Sequence, residues 1–157
     1  MTPGTYATVI VRRARPDDRA AVERLLESAQ LPLAGVADHF ANFLVAVSAS
    51  GIVGAAGLER YGEFALLRSC VVAEASRGRG IGVLLTMRLL EGALSSGVRR
   101  VYLVTTTAQA WFERLGFKVV PREQALADVG GSAELKGACP DTATCMVREI
   151  PRPAGAA

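Results

Sequence analysis

Residues 76–82 read SRGRGIG, and the reading of this turn decides the fold because of what lies on either side of it. Before it, EFALLRSCVVAE (Glu63 to Glu74) is an apolar run with the character of a central strand. After it, IGVLLTMRLLEGALSSG carries apolar residues at helical spacing and stops near Gly97, a natural C-terminal glycine. At such a strand-to-helix turn, backbone N–H groups can converge on an anion that the helix dipole also favours. Glycine lets a ligand approach the main chain without a Cβ in the way. Arg77 and Arg79 add positive charge at the same mouth. Taken alone, the turn also fits a plain connection with solvated arginines. It is not a triphosphate loop, since no G-x-x-x-x-G-K-[ST] occurs. Nor is R-G-R-G-I-G the dinucleotide pattern G-x-G-x-x-G, and no acidic residue follows at a strand tip to hold a ribose.

Upstream of the turn, TVIVRRA (Thr8 to Ala14) alternates and is β-branched, which predicts a first strand. RPDDRAAVERLLESAQL predicts a helix, with Pro16 at its first position and Asp17 and Asp18 at the positive end of its dipole. Val22, Leu25, Leu26 and Ala29 share one face of it. VADHFANF reads as a second, short helix, and FLVAVSASGIVGAAGLERYG as a hairpin turning at SASG. Downstream, VRRVYLVTTT is a strand and AQAWFERLGF a short helix closed by Gly116. KVVP is an edge strand stopped by Pro121, ATCMVREI a last strand, and PRPAGAA a frayed end. The expected order is strand, helix, helix, three strands, helix, strand, helix, strand, strand. That order is an α/β domain with a mixed central sheet and helices on both faces. No repeat or linker divides the chain, so residues 1–157 are expected to form a single domain with an ordered core over about 7–150.

Composition narrows the partners. The 157 residues are half hydrophobic and carry a net charge of only +3, which argues against disorder. The arginines are scattered among acids without interleaved aromatics, so a nucleic-acid face is not expected. No apolar run reaches the length of a membrane span. The N-terminal basic pair follows the apolar part, the reverse of a secretory signal, so a cytoplasmic protein is expected. Cys70, Cys139 and Cys145 match no zinc spacing and His39 is the only histidine, so no metal is expected.

Two motifs together point to a family. Arg77-x-x-Gly80-x-Gly82, after the strand LRSCVV and before a Leu-rich helix, resembles the acetyl-CoA signature of the GNAT N-acetyltransferases. VYLVTTTAQAWFERLGF resembles the same superfamily's strand followed by A-x-x-F-[FY]-x-[KR]-x-G-F. LLRSCVVAEASRGRGIG, LVTTTAQAWFERLGF and CPDTATCM further resemble the GNATs of arsenic-resistance operons, a branch akin to amino-acid N-acetyltransferases.

The resemblance implies the GNAT (acyl-CoA N-acyltransferase) fold and acetyl-CoA as co-substrate. It implies a small-molecule amine as acceptor, such as an amino acid or an arsenic-containing analogue of one, and homodimer pairing through last strands. Carried over, the backbone of Arg77, Gly78, Arg79, Gly80, Ile81, Gly82 and Val83 would hold the CoA pyrophosphate. Cys70, Val71 and Val72 would pair with the pantetheine arm, with Thr107 on the opposite wall. The amide near Val72 would stabilise the oxyanion. The sequence departs from the family at Phe112, where many members place a tyrosine that protonates the departing thiolate. Either Tyr102, a threonine of 105–107 or water would then serve, or the thiolate would leave unprotonated.

Glu59 is the first candidate for the base, acting directly or through water, although an exposed charge at a strand end is the plainer reading. Glu63 and His39 are weaker candidates, His39 and Thr105 standing as acceptor contacts. Arg68 lies within the buried run FALLRSCVV and needs a partner there. An acceptor carboxylate, phosphonate or arsinate could supply it, as could a salt bridge to Glu59 or Glu63. Cys139 and Cys145 raise an arsenic–thiolate reading beside a plain buried role, and Trp111 and Phe117 read as core anchors. The activity expected is acetyl-CoA-dependent N-acetylation of a small amine. Alternatives are a protein or peptide N-acetyltransferase and a non-catalytic acyl-CoA-binding regulatory domain.

Overall fold

The computed structural model describes residues 8–151. The elements run β1 (Ile10–Arg13), α1 (Arg19–Ser28), α2 (Val36–His39), β2 (Phe43–Ser48), β3 (Gly51–Tyr61), β4 (Phe64–Val72), α3 (Ile81–Ser95), β5 (Arg100–Thr105), α4 (Gln109–Arg114), β6 (Lys118–Val119), α5 (Arg122–Val129) and β7 (Thr144–Glu149). They form one seven-stranded sheet in the order β1-β2-β3-β4-β5-β7-β6. Every pairing is antiparallel except β4 with β5. This is the mixed α/β sheet the element order predicted.

Strand alternation sends side chains to opposite faces, and each face is covered. On one, Leu85, Leu89, Leu90 and Ala93 of α3, with Phe112 and Phe117 around α4, pack on Ala56, Leu67, Leu103 and Met146. On the other, Val22, Leu26, Val36 and Phe40 cover Val45, Ala55 and Val71 at one end. Ala125 and Val129 of α5 cover Leu66, Tyr102 and Val147 at the other. β3 and β2 are locked closely together: a Cβ on Gly57 would lie 2.2 Å from the Phe43 ring, so only glycine fits there.

α5 and the single π-type turn at Glu134–Ala138 are absent from the sequence-based order, which passes directly from KVVP to ATCMVREI. α5 buries only Ala125 and Val129, too little apolar repetition to signal a helix. The segment after it is punctuated by Gly130, Gly131 and Gly137. The first helix also starts later than expected. Pro16–Asp18 forms a 3-10 turn, and Asp18 accepts from the backbone of Arg15 (2.7 Å) and the side chain of Arg12 (2.7 and 3.1 Å) rather than sitting in the first α-turn. β7 lies inside the sheet with β6 outside it, so Met146 and Val147 are already paired on both sides. Of the expected frayed end PRPAGAA, residues 152–157 lie outside the described residues, as does the N-terminal segment 1–7.

Candidate active site

β4 and β5 pair only at Phe64–Arg100, Ala65–Val101 and Leu66–Tyr102, and beyond Leu66 the two strands part. Residues 67–72 of β4 and 103–105 of β5 thus leave backbone facing a gap in the middle of the sheet. The gap opens into a cleft of about 970 Å3, lined by both diverging strands, the glycine-rich turn, the start of α4 and the segment before β7.

At the glycine-rich end, Gly78 and Gly80 both hold φ +79°. An added Cβ would meet nothing within 4 Å at either, so these glycines are required by backbone conformation. Gly82 differs: it lies inside α3, and its Cβ would come within 3.2 Å of Trp111 Cζ2. Gly80 caps α3, and Leu84 is the first residue whose N–H bonds back to it (3.0 Å). The amides of Ile81, Gly82 and Val83 are therefore free of intrahelical acceptors, as in the first turn of any helix. Arg77 is pinned by donating from Nε to the carbonyl of Val72 (3.1 Å). Arg79 is exposed and is not among the cleft residues.

In the middle, β4 carries a bulge. Gly57 pairs with Arg68 and Ala55 with Val71, so Ala56 alone faces Ser69 and Cys70. Ser69 takes φ +58°, a left-handed backbone that a β-strand otherwise avoids. The bulge sets Cys70, Val71 and Val72 along the cleft wall. Thr105 and Thr107 line the opposite wall, where Thr105 Oγ1 accepts from the N–H of Ala108 (3.0 Å) and so caps the entry to α4. Phe112 lines the cleft without a polar group, held edge-on between Trp111 and Phe117. Trp111 is a cleft residue and only half-buried, whereas Phe117 is the core anchor expected. Tyr102 is no proton donor for the cleft: it points to the other face of the sheet and donates to Asp128 of α5.

Beside the bulge lies a buried charge cluster. The side chains of Arg68 and Glu59 are both fully buried, with Arg68 Nη1 2.7 Å from Glu59 Oε2. Arg68 also donates to the carbonyls of Ala34 (2.7 Å) and Pro32 (3.1 Å) and to Ser69 Oγ (3.0 Å), and its Nε lies 3.3 Å from Glu134 Oε2. Its partner is thus supplied internally, by Glu59 as one of the two readings held, while Glu63 pairs instead with Arg99 at the surface (3.2 Å). Glu59 is not the exposed strand-end charge of the plainer reading. It does not line the cleft either: Tyr61 donates to it, and His39 Nε2 stands 3.7 Å away. His39 is likewise outside the cleft lining.

Glu134 is the group the sequence reading missed. It lines the cleft and is 4% exposed, and burial, with Glu59 adding repulsion, pushes its carboxyl up to about 7 despite the opposing pull of Arg68. Cys139 donates from Sγ to Glu134 Oε1 (3.5 Å), and burial together with the Glu134 charge lifts its thiol to about 12. That thiol is protonated at neutral pH. Among the described residues no three His, Cys, Asp or Glu side chains converge as a metal site would require, and Cys139 and Cys145 are both free and buried. Among them also, no helix is long and apolar enough to cross a membrane.

A divided sheet, a glycine-capped helix at one end of the split and a bulged strand along it define the acetyltransferase (GNAT) domain. The family model of that name matches residues 39–119, and the chain belongs to this family of N-acetyltransferases. The chain is 28% identical over 125 residues to an uncharacterized N-acetyltransferase of Chlorobaculum tepidum, covering 74% of this chain and 80% of that protein. Among solved structures it resembles N-acetylglutamate synthase of Neisseria gonorrhoeae in complex with coenzyme A and N-acetyl-glutamate, at a TM-score of 0.80 and 18% identity. That match covers 94% of this chain but 36% of the synthase, so the chain spans about a third of that protein. A Mycobacterium tuberculosis protein, Rv2747, in complex with CoA matches at a TM-score of 0.73 and 22% identity, over 90% of this chain and 99% of that one.

Proposed function

We propose that this protein transfers the acetyl group of acetyl-CoA to the amine of a small molecule, an amino acid or a close analogue of one. The observation that carries the reading is the parting of β4 and β5 beyond Leu66, with the glycine-capped start of α3 at the same cleft. Exposed strand backbone can pair with the amide-bearing pantetheine arm along Cys70, Val71 and Val72. The free amides of Ile81, Gly82 and Val83 suit a pyrophosphate, while that of Arg77 is taken by the carbonyl of Glu74 (3.3 Å). The CoA complexes of the gonococcal and mycobacterial proteins support the same assignment.

In this reading acetyl-CoA lays its thioester between the bulge of β4 and Thr105–Thr107 of β5, and the backbone amide of Val72 stabilises the oxyanion. A neutral amine attacks the thioester carbon, and collapse of the tetrahedral adduct breaks the C–S bond. Phe112 offers no proton, so the departing sulfur takes one from the nitrogen of the adduct. The amino-acid acceptor draws support from the N-acetyl-glutamate complex of the gonococcal protein. The branch resemblance adds an arsenic-containing amino acid to the same class.

The test is acetyl-CoA titration by calorimetry followed by a thiol-release assay against amino acids, arsenic-containing analogues, polyamines and peptides. Binding with turnover on an amino acid is the expected result. Binding without turnover on any amine would favour a regulatory acyl-CoA-binding domain, a reading to which Phe112 lends weight. Turnover on peptides alone would make it a protein N-acetyltransferase.

A further inference from the structure

We propose that Glu134 is the general base of the transfer, removing a proton from the acceptor ammonium inside the cleft, with Arg68 and Glu59 as positioning residues behind it. The inference rests on the acetyltransferase reading above and specifies how its acceptor end works.

Three observations carry it. Glu134 is the only carboxylate among the described residues that line the cleft. Its carboxyl stands next to the reacting region, since Arg68 Nε, 3.3 Å from Oε2, also donates to Ser69 at the bulge. The cluster also carries excess negative charge: one arginine, Arg68, faces two carboxylates, Glu59 and Glu134. Glu59 takes the shorter contact, 2.7 Å against 3.3 Å, leaving Glu134 the less compensated of the two. A site with that balance attracts an ammonium group rather than a second anion.

Every group packed about Glu134 fits the role. Arg68 approaches from β4, Glu59 from β3 with Tyr61 donating to it, and His39 from α2 contacts Glu59 at 3.7 Å. From the segment before β7, the Cys139 thiol donates to Oε1, and Arg122 of α5 bonds the carbonyl of Leu135 beside it. These contacts hold the carboxyl while burial keeps it about 7, where a base works best at neutral pH. The step balances simply. The carboxylate accepts one proton from R–NH3+, and the amine forms the C–N bond as the C–S bond breaks. A second nitrogen proton goes to the thiolate, and Glu134 returns its own to water. Glu134 lies beyond the residues matched by the family model, so this base comes from the chain's own segment rather than from the shared motifs.

The experiment compares wild type with Glu134→Gln and Glu134→Asp, using acetyl-CoA and the amine found by the panel above. In wild type kcat should rise with pH through a midpoint near 7. Glu134→Gln should bind acetyl-CoA within about twofold of wild type, which also certifies its fold, yet lose roughly 100-fold in kcat along with the acid limb. Glu134→Asp should keep the limb at reduced kcat. If Glu134→Gln keeps kcat within about threefold and the same limb, the inference is overturned. Carboxyl-labelled glutamate followed by NMR gives an independent readout. One resonance should titrate near pH 7 in wild type and be missing from Glu134→Gln, and its absence from wild type overturns the inference whatever the turnover. Failure of wild type to bind acetyl-CoA at all would instead defeat the parent reading.

Discussion

Gly35 makes the room that Arg68 occupies: a Cβ at position 35 would lie 2.7 Å from Arg68 Nη1. The loop between α1 and α2 can close over the guanidinium, and present it the carbonyls of Pro32 and Ala34, only because residue 35 has no side chain. Gly35 also holds φ +85°, so its replacement strains the backbone and displaces the cation together. Gly35→Ala is expected to lose more than the ~1–2 kcal/mol of a left-handed residue alone, lowering Tm by at least about 4 °C. Gly62 holds φ +63° with open space around it, so Gly62→Ala should show the backbone part only. Equal losses in thermal melts of the two variants would show that Arg68 tolerates the intrusion.

A second expectation concerns the pair itself. Removing one member of a fully buried ion pair leaves the other charge uncompensated, a loss of about 3–5 kcal/mol. Arg68→Ala should be worse than Glu59→Gln, because it strands Glu59 and Glu134 together with the carbonyls of Pro32 and Ala34. Urea unfolding measures both. A loss under about 1 kcal/mol for Arg68→Ala would mean that the cluster does not brace the fold and would reopen Arg68 to an acceptor anion.

The residues that were legible in the sequence are those whose roles are local. SRGRGIG announced a strand-to-helix turn because positive-φ glycines and a following Leu-rich face are written into adjacent positions. The first family motif lies in the same span, and the second, VYLVTTTAQAWFERLGF, is one unbroken stretch further along. What escaped was set by distant partners. Glu59 looked like a strand-end charge because the loop 32–35 and Glu134, which bury it with Arg68, lie far away in sequence. Glu134 sits in a glycine-punctuated stretch with no period, so neither its burial nor its place in the cleft had a local sign. The bulge at Ser69 was equally invisible, since a serine in a left-handed conformation is imposed by the register of β3 against β4. For Arg68 the sequence posed the right question, a buried cation wanting a partner, and left two answers open.

Glu134 should also mark the pH dependence of stability. Its folded carboxyl sits at about 7, above its ordinary value of 4.5, so the folded state binds more protons than the unfolded between those limits. Stability therefore falls as pH rises from about 4.5 to about 7, by on the order of 3 kcal/mol from this group. Asp18 acts at lower pH with the opposite sign: the hydrogen bond from Arg12 holds its carboxyl below 3.8, and its contribution is lost only on further acidification. Urea midpoints from pH 5 to pH 8 should decline in wild type and stay nearly level in Glu134→Gln. A wild-type curve as flat as the variant's would place Glu134 in water rather than in the cluster.

The last expectation uses the only tryptophan. Trp111 lines the cleft and touches the site where a Cβ on Gly82 would stand, at 3.2 Å, so the indole reports on the first turn of α3. A ligand bound to the free amides of that turn should change Trp111 emission in proportion to occupancy. Gly82 has helical backbone, so Gly82→Ala should fold normally but push the indole aside by a few tenths of an ångström. Gly80→Ala, by contrast, places a side chain at φ +79° and should cost about 1–2 kcal/mol of stability, with nothing nearby to clash. The two variants should therefore separate. Gly82→Ala alters the emission of the free protein and weakens acetyl-CoA binding several-fold at nearly unchanged Tm, whereas Gly80→Ala lowers Tm and leaves the free emission alone. Titration of acetyl-CoA with no change in wild-type fluorescence would count against ligand at this turn.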